Sequence, residues 1–291
     1  MSSSNIPIPF RRIAILGTGL IGGSFALALR KHFPDVTMVG FDRPGVAQRA
    51  LERGAVHEVA TDVTSAVRDA DLVYLALPIA GILELLPSIA IVAKSEALIT
   101  DAGSTKVIIC REAAKHFSTG ARFLGGHPIA GREISGIEHA DHNLFRSSRY
   151  ALIANENDAD SRTAAFAAIL NGVGATPVWC DPDTHDWAVG VSSHLPQLLA
   201  VALASVVSDE TDQNGLPLAL AGPGLRDMLR LAGSPYSLWR DIAHTNSANI
   251  SRALDRLTQA VEHLRTNLTS KELENEFSGA NEVYRSLPKR E

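Results

Sequence analysis

Apolar residues over the first 180 positions arrive in short β-branched runs separated by stretches of helical spacing. Residues 12–16 (RIAIL), 36–41 (VTMVGF), 72–77 (LVYLAL), 98–100 and 122–125 read as strands, with helices over 20–31 and 45–53 and further helical segments between the later strands. Strands and helices alternating at this length imply an α/β fold with a parallel, doubly wound sheet. Residues 150–154 and 176–180 add two strands around an alanine-rich helix over 161–171. Beyond Cys180 no strand pattern appears. Asp181-Pro182-Asp183 has the composition of a helix start, and helical spacing covers 184–193, 196–210, 235–267 and 271–286. The boundary therefore falls near 180, with a sheet domain over 1–180 and a helical domain over 181–291. Leu198, Leu199, Val201, Ala202 and Val206 give a helix more apolar surface than one exposed face uses, which predicts central burial or a dimer interface.

The most apolar stretch, 72–93, is interrupted by Pro78, Gly81, Glu84 and Pro87, so it reads as a buried strand and a short helix rather than a membrane span. The first twelve residues lack the apolar core of a signal peptide. With 45% hydrophobic and 20% charged residues the chain has the composition of a soluble globular protein. A net charge of −5 without any basic tract argues against nucleic acid or a membrane surface as partner, and an anionic substrate would need locally placed arginines. Cys110 and Cys180, the two cysteines, form neither a disulfide framework nor a metal quartet, as expected of a cytoplasmic chain. His139 and His142 have metal-like spacing but no third ligand candidate, so no metal is expected.

Gly17-Thr18-Gly19-Leu20-Ile21-Gly22 is a G-x-G-x-x-G turn that follows a strand and opens a helix. Gly17 permits the tight turn, Gly19 lets backbone approach a pyrophosphate, Gly22 allows close helix–strand packing, and the helix start at Leu20 and Ile21 presents amide donors to the phosphates. Asp42 lies twenty residues past Gly22, at the end of the second strand, where a carboxylate accepts from ribose hydroxyls; this favours NAD. Arg43 beside it leaves NADP open. Leu77 and Pro78, at another strand end, are placed to line the nicotinamide side. Strand ends on this edge of the sheet also carry Asp101-Ala102-Gly103-Ser104-Thr105-Lys106 and Gly126-His127-Pro128-Ile129-Ala130-Gly131-Arg132-Glu133. A histidine in a glycine-flanked loop beside a nicotinamide site suits proton transfer coupled to hydride transfer.

Together G-T-G-L-I-G-G-S, D-A-G-S-T-K and G-H-P-I-A-G-R-E resemble the prephenate and arogenate dehydrogenases of tyrosine biosynthesis. Ser193-His194-Leu195-Pro196-Gln197, Leu225-Arg226-Asp227-Met228-Leu229-Arg230 and Trp239-Arg240-Asp241 are similar to that family's helical domain, so the resemblance runs from residue 12 to about 245. It implies an N-terminal Rossmann-type domain, an all-α C-terminal dimerisation domain and a homodimer formed through the C-terminal helices. The implied reaction is oxidative decarboxylation of prephenate with NAD, or the same reaction on arogenate; a hydroxyacid dehydrogenase with the same two-domain plan is the more distant alternative. On the resemblance His127 is the proton acceptor, and Ser104 hydrogen-bonds both the histidine and the substrate hydroxyl. Arg230 holds the side-chain carboxylate and His194 lies near the ring carboxylate. Glu133 and Asp227 are candidates for an ionic gate with Arg230, with ordinary surface pairing as the alternative, and Arg132, a departure from the family pattern, either adds a cation near the substrate or points into solvent.

Overall fold

The computed structural model describes residues 9–131, 134–154 and 160–288. Among them the strands are β1 (Arg12–Leu16), β2 (Thr37–Phe41), β3 (Glu58–Val59), β4 (Leu72–Leu75), β5 (Leu98–Asp101), β6 (Arg122–Ile129), β7 (Arg149–Ile153) and β8 (Thr176–Cys180). They form one sheet in the order β3-β2-β1-β4-β5-β6-β7-β8. Helices α1 (Leu20–His32), α2 (Pro44–Glu52), α3 (Val63–Val67), α4 (Ile79–Val92), α5 (Val107–His116) and α6 (Ser161–Gly172) connect them. The order reverses on either side of β1, as in Rossmann-type domains, which places the carboxyl ends of β1 and β4 at the switch point where ligands bind such sheets.

Residue alternation along the strands divides the core in two. Ile13, Ile15, Leu72 and Tyr74 point to the face covered by Phe25 and Leu29 of α1 and Phe166, Ile169 and Leu170 of α6. Ala14, Leu16, Val73 and Leu75 point to the face covered by Ile82, Leu86 and Ile89 of α4 and Ile109 of α5. Each fully buried large side chain contributes about 1.5–3 kcal/mol of transfer free energy.

The expected parallel, doubly wound sheet is present, with one antiparallel pair in it: β7 runs antiparallel to β6. A parallel return requires a crossover, usually helical. Among the described residues between β6 and β7 the only helical element is the single 3₁₀ turn Ile137–His139, so the chain doubles back. The full helix α6 then restores a parallel β7–β8 pair.

After β8 the helices are α7 (Pro182–Val189), α8 (Leu195–Gln213), α9 (Leu216–Ala219), α10 (Pro223–Leu229), α11 (Tyr236–Thr245), α12 (Ser247–Thr266) and α13 (Glu272–Ser286). The expected break between 193 and 196 is absent, and Pro182–Asp212 is helical throughout. Pro196 has no amide hydrogen, and the ladder widens just before it into a π turn, Gly190–His194, closed by Leu195 N–H donating to Gly190 O. Among the described residues this helix, rather than 72–93, is the one long and apolar enough, by length and composition, to cross a membrane. Conversely, the single helix expected over 235–267 is two helices that part at Asn246, where the backbone leaves helical geometry (φ −123°, ψ 23°).

The chain separates into two compact units. One holds the residues up to Trp187 together with Gly233–Thr245; the other holds Ala188–Ala232 and the residues from Asn246 onward. The first unit thus takes back α11, whose Ile242 and Trp239 join the apolar cluster under α4 and α5.

Candidate active site

The β1–α1 turn is built by exclusion. Gly17 has φ +92°, and a Cβ there would stand 2.2 Å from Ala76 O. A Cβ on Gly22 would stand 1.9 Å from Gly17 O, so α1 approaches its own turn at a distance only glycine allows. Gly19 differs: the space its Cβ would fill holds nothing within 4 Å. Helix α1 has neither a side-chain cap nor an acidic residue in its first turn, so no carboxylate of its own first turn competes for its amides. Open space beside Gly19 and an uncapped helix start fit a dinucleotide pyrophosphate. Asp42, just past β2, ties the turn in place: Oδ2 accepts from Thr18 N at 2.8 Å and Oδ1 from Arg43 N at 2.7 Å. The Arg43 side chain is 88% exposed, with Nε 4.0 Å from Asp42 Oδ1.

A cavity of about 330 Å³ opens at this edge of the sheet. Leu20, Ile21, Leu77, Pro78, Ser104 and His127 all line it, so six of the residues singled out from the sequence meet there. Helix α11 supplies another wall through Leu238, Asp241 and Ile242. Asp241 Oδ2 accepts from Ala80 N at 3.2 Å, which fastens α11 to the start of α4. Arg132 and Glu133 lie outside the described residues.

His127 sits on a strand, which corrects the expectation of a loop. Strand β6 continues through Ile129, and His127 is in register with Ala151 of β7. The glycines before it serve packing: a Cβ on Gly125 would meet Cys110 Sγ at 2.8 Å, and one on Gly126 would meet Asp101 O at 2.6 Å. Burial pushes the Cys110 thiol up to about 12, so it packs here as a neutral thiol.

The ring partner of His127 is His185. His127 Nδ1 and His185 Nε2 are 3.0 Å apart, and His185 Nδ1 lies 2.8 Å from Asp186 Oδ1. Asp186 in turn accepts from Lys106 N at 2.7 Å and Val107 N at 3.0 Å, capping the start of α5. His185 and Asp186 are 3% and 1% exposed. Sequence reasoning missed both, since nothing local marks two helix residues whose partners, His127 on β6 and the start of α5, lie far back in the sequence. Ser104 lines the same cavity, and among the described residues it shares no hydrogen bond with His127.

Behind His127 lies a buried ion pair. Lys106 Nζ contacts Asp101 Oδ2 and donates to Gly126 O at 2.8 Å. Asp101 also accepts from Gly103 N at 2.8 Å and Gly126 N at 3.0 Å. Both side chains are fully buried.

His194 and Arg230 belong to the other unit. His194 is buried, and its Nδ1 lies 3.1 Å from Asn246 Nδ2. Asn249 Nδ2 donates to Asn246 Oδ1 at 2.8 Å, so the Asn246 amide group is the donor towards His194, whose neutral ring then carries its proton on Nε2. Arg230 is exposed at the end of α10. Gln197 Nε2 donates to Leu231 O at 2.8 Å, which anchors the segment just after Arg230 to α8.

Residues 25–178 match the family model of the prephenate dehydrogenase nucleotide-binding domain, and residues 181–280 match that of the prephenate dehydrogenase dimerization domain. The chain is 34% identical over 270 residues to the prephenate dehydrogenase of Lactococcus lactis subsp. cremoris, covering 87% of this chain and 74% of that protein. Prephenate dehydrogenase from A. aeolicus, solved with hydroxyphenyl propionate and NAD+, superimposes with a TM-score of 0.83 at 28% identity, covering 94% of this chain and 96% of that one. Synechocystis arogenate dehydrogenase superimposes with a TM-score of 0.79 at 29% identity, covering 94% and 99%.

Proposed function

The chain belongs to the prephenate dehydrogenase family, and from that premise we propose that it oxidatively decarboxylates prephenate to 4-hydroxyphenylpyruvate with NAD. The observation that carries this reading is His127 in the wall of a cavity that opens beside the glycine turn. Gly17, Gly19, Gly22 and the first amides of α1 hold the pyrophosphate, Asp42 accepts from the adenosine ribose hydroxyls, and Leu77 and Pro78 line the nicotinamide side. When bound, NAD supplies the acceptor for the hydride that leaves the hydroxyl-bearing ring carbon. His127 takes the hydroxyl proton, and Ser104 orients the same hydroxyl. The carboxylate carbon then departs as carbon dioxide, its bonding electrons passing through the ring to the former hydroxyl oxygen as the ring becomes aromatic, and that oxygen takes a proton back to give the phenol. Aromatisation drives that step, so the protein has to orient the ring and accept one proton.

For the two substrate carboxylates we propose His194, through Nε2–H, and Arg230, whose planar guanidinium matches a carboxylate in two bonds. Arg132 and Glu133 are proposed as further substrate contacts on the sequence alone. Arg230→Ala should raise KM by roughly 10- to 100-fold with a much smaller change in kcat, the worth of one charge-assisted contact. Steady-state kinetics settle it: an unchanged KM means another cation holds the substrate. Asp42→Ala should shift the kcat/KM ratio towards NADP by about tenfold or more, because the carboxylate that repels a 2′-phosphate is gone. An unaltered cofactor ratio would remove Asp42 from this role.

The likeness to an arogenate dehydrogenase supports a second reading, with an amino group in place of the side-chain keto group and tyrosine as product. Reduction of NAD and NADP measured with prephenate and with arogenate tests both. The reading predicts faster turnover of prephenate with NAD, and inactivity on both substrates would defeat it.

We further propose a cytoplasmic homodimer, with residues 1–180 as nucleotide domain and 181–291 as substrate and dimerisation domain. Val201 and Val206 on α8 are exposed apolar side chains within the span that matches a dimerization domain, which supports a second copy rather than lipid as their cover.

A further inference from the structure

We infer that His185 and Asp186 are positioning residues that fix the tautomer of His127, making Nε2 the nitrogen that accepts the substrate proton. This rests on the reading of His127 as proton acceptor.

A contact between two neutral imidazoles holds one proton and is ambiguous in direction, since either ring can donate. Asp186 removes the ambiguity. Its carboxylate only accepts, and Oδ1 stands 2.8 Å from His185 Nδ1, so that nitrogen bears the proton. His185 Nε2 is then a bare acceptor, and across the 3.0 Å contact His127 Nδ1 must donate. His127 consequently keeps its lone pair on Nε2, as a base for the ring hydroxyl requires.

The direction is secured from behind. Asp186 accepts from the backbone amides of Lys106 and Val107, so the start of α5 sets where the carboxylate points. Burial of His185 and Asp186 keeps water from competing for these bonds. When His127 takes a proton, the positive charge forms one ring away from a fixed carboxylate, a longer-range counterpart of the direct Asp–His bond that stabilises the imidazolium in a Ser-His-Asp triad. A histidine that merely filled the core would need only one of these contacts.

The test uses the full-length enzyme with ¹⁵N-labelled histidine, read by NMR alongside steady-state kinetics and NAD binding. The wild type should show neutral His127 protonated on Nδ1. His185→Leu should lower kcat by roughly 10²-fold with NAD affinity kept, and His185→Gln, whose carbonyl still accepts from Nδ1–H, should recover about tenfold of that loss. Asp186→Asn should move the His127 proton to Nε2 and lower kcat by about 10²–10³-fold. Asp186 also caps α5, but the His185 variants leave that cap intact, so a folding defect in Asp186→Asn does not shelter the inference. It is overturned if His127 is protonated on Nε2 in the wild type, or if His185→Leu retains wild-type kcat. Failure of the wild type to oxidise either cyclohexadienyl substrate would instead defeat the proposed function, and the tautomer measurement would still decide whether the relay exists.

Discussion

His127→Ala is expected to lower turnover by ~10²–10⁴-fold while NAD affinity stays nearly unchanged. The loss should appear equally in kcat and kcat/KM, because proton acceptance is made in the transition state and not in the ground-state complex. NAD affinity is spared because the groups proposed for the phosphates and ribose, the 17–22 turn and Asp42, belong to β1, α1 and the end of β2, whereas His127 stands on β6. Truncation also leaves His185 Nε2 without its ring partner, yet Asp186 still holds His185. Steady-state rates with an independent measurement of NAD binding check this. Turnover within a few-fold of wild type would take His127 out of the reaction.

The second large effect concerns stability. Lys106→Met should destabilise the fold by about 3–5 kcal/mol, because it strands the Asp101 carboxylate, fully buried, with only the amides of Gly103 and Gly126 for company. It also removes the bond from Lys106 Nζ to Gly126 O, the residue before His127, so activity should fall together with stability. Lys106→Met combined with Asp101→Asn should be less destabilised than Lys106→Met alone: no buried charge is left, and the asparagine carbonyl still accepts from an amide. Denaturant midpoints of the wild type, both single variants and the double variant measure this. A single variant as stable as the wild type would mean that the pair is not a structural staple.

How legible these features were in the sequence follows from how local they are. The glycine turn, the strand before it, the helix after it and Asp42 lie within about thirty residues, and Gly22 is required by a contact inside that span, with Gly17 O. The Asp181-Pro182-Asp183 start of α7 was equally local. His127 was recognisable as a chemical residue, but its backbone was not: the pairing that makes residues 126–129 a strand comes from β7, some twenty-five residues on. His185 and Asp186 looked like ordinary residues of a helix start, and only the tertiary fold brings them against β6 and α5. The break at Asn246 was hidden because apolar spacing continues across it, while the asparagine side chain turns to His194. Ser104 and His127 were expected to pair on family resemblance; the fold puts both in one cavity and gives the histidine ring a different partner.

Prephenate carrying deuterium on the hydroxyl-bearing ring carbon offers the most direct test of the coupled hydride and proton transfer. The account predicts deuterium in the reduced nicotinamide, with one carbon dioxide and one aromatic product formed for each NAD consumed. Reduced nicotinamide free of the label, or aromatic product formed without NAD reduction, would contradict it.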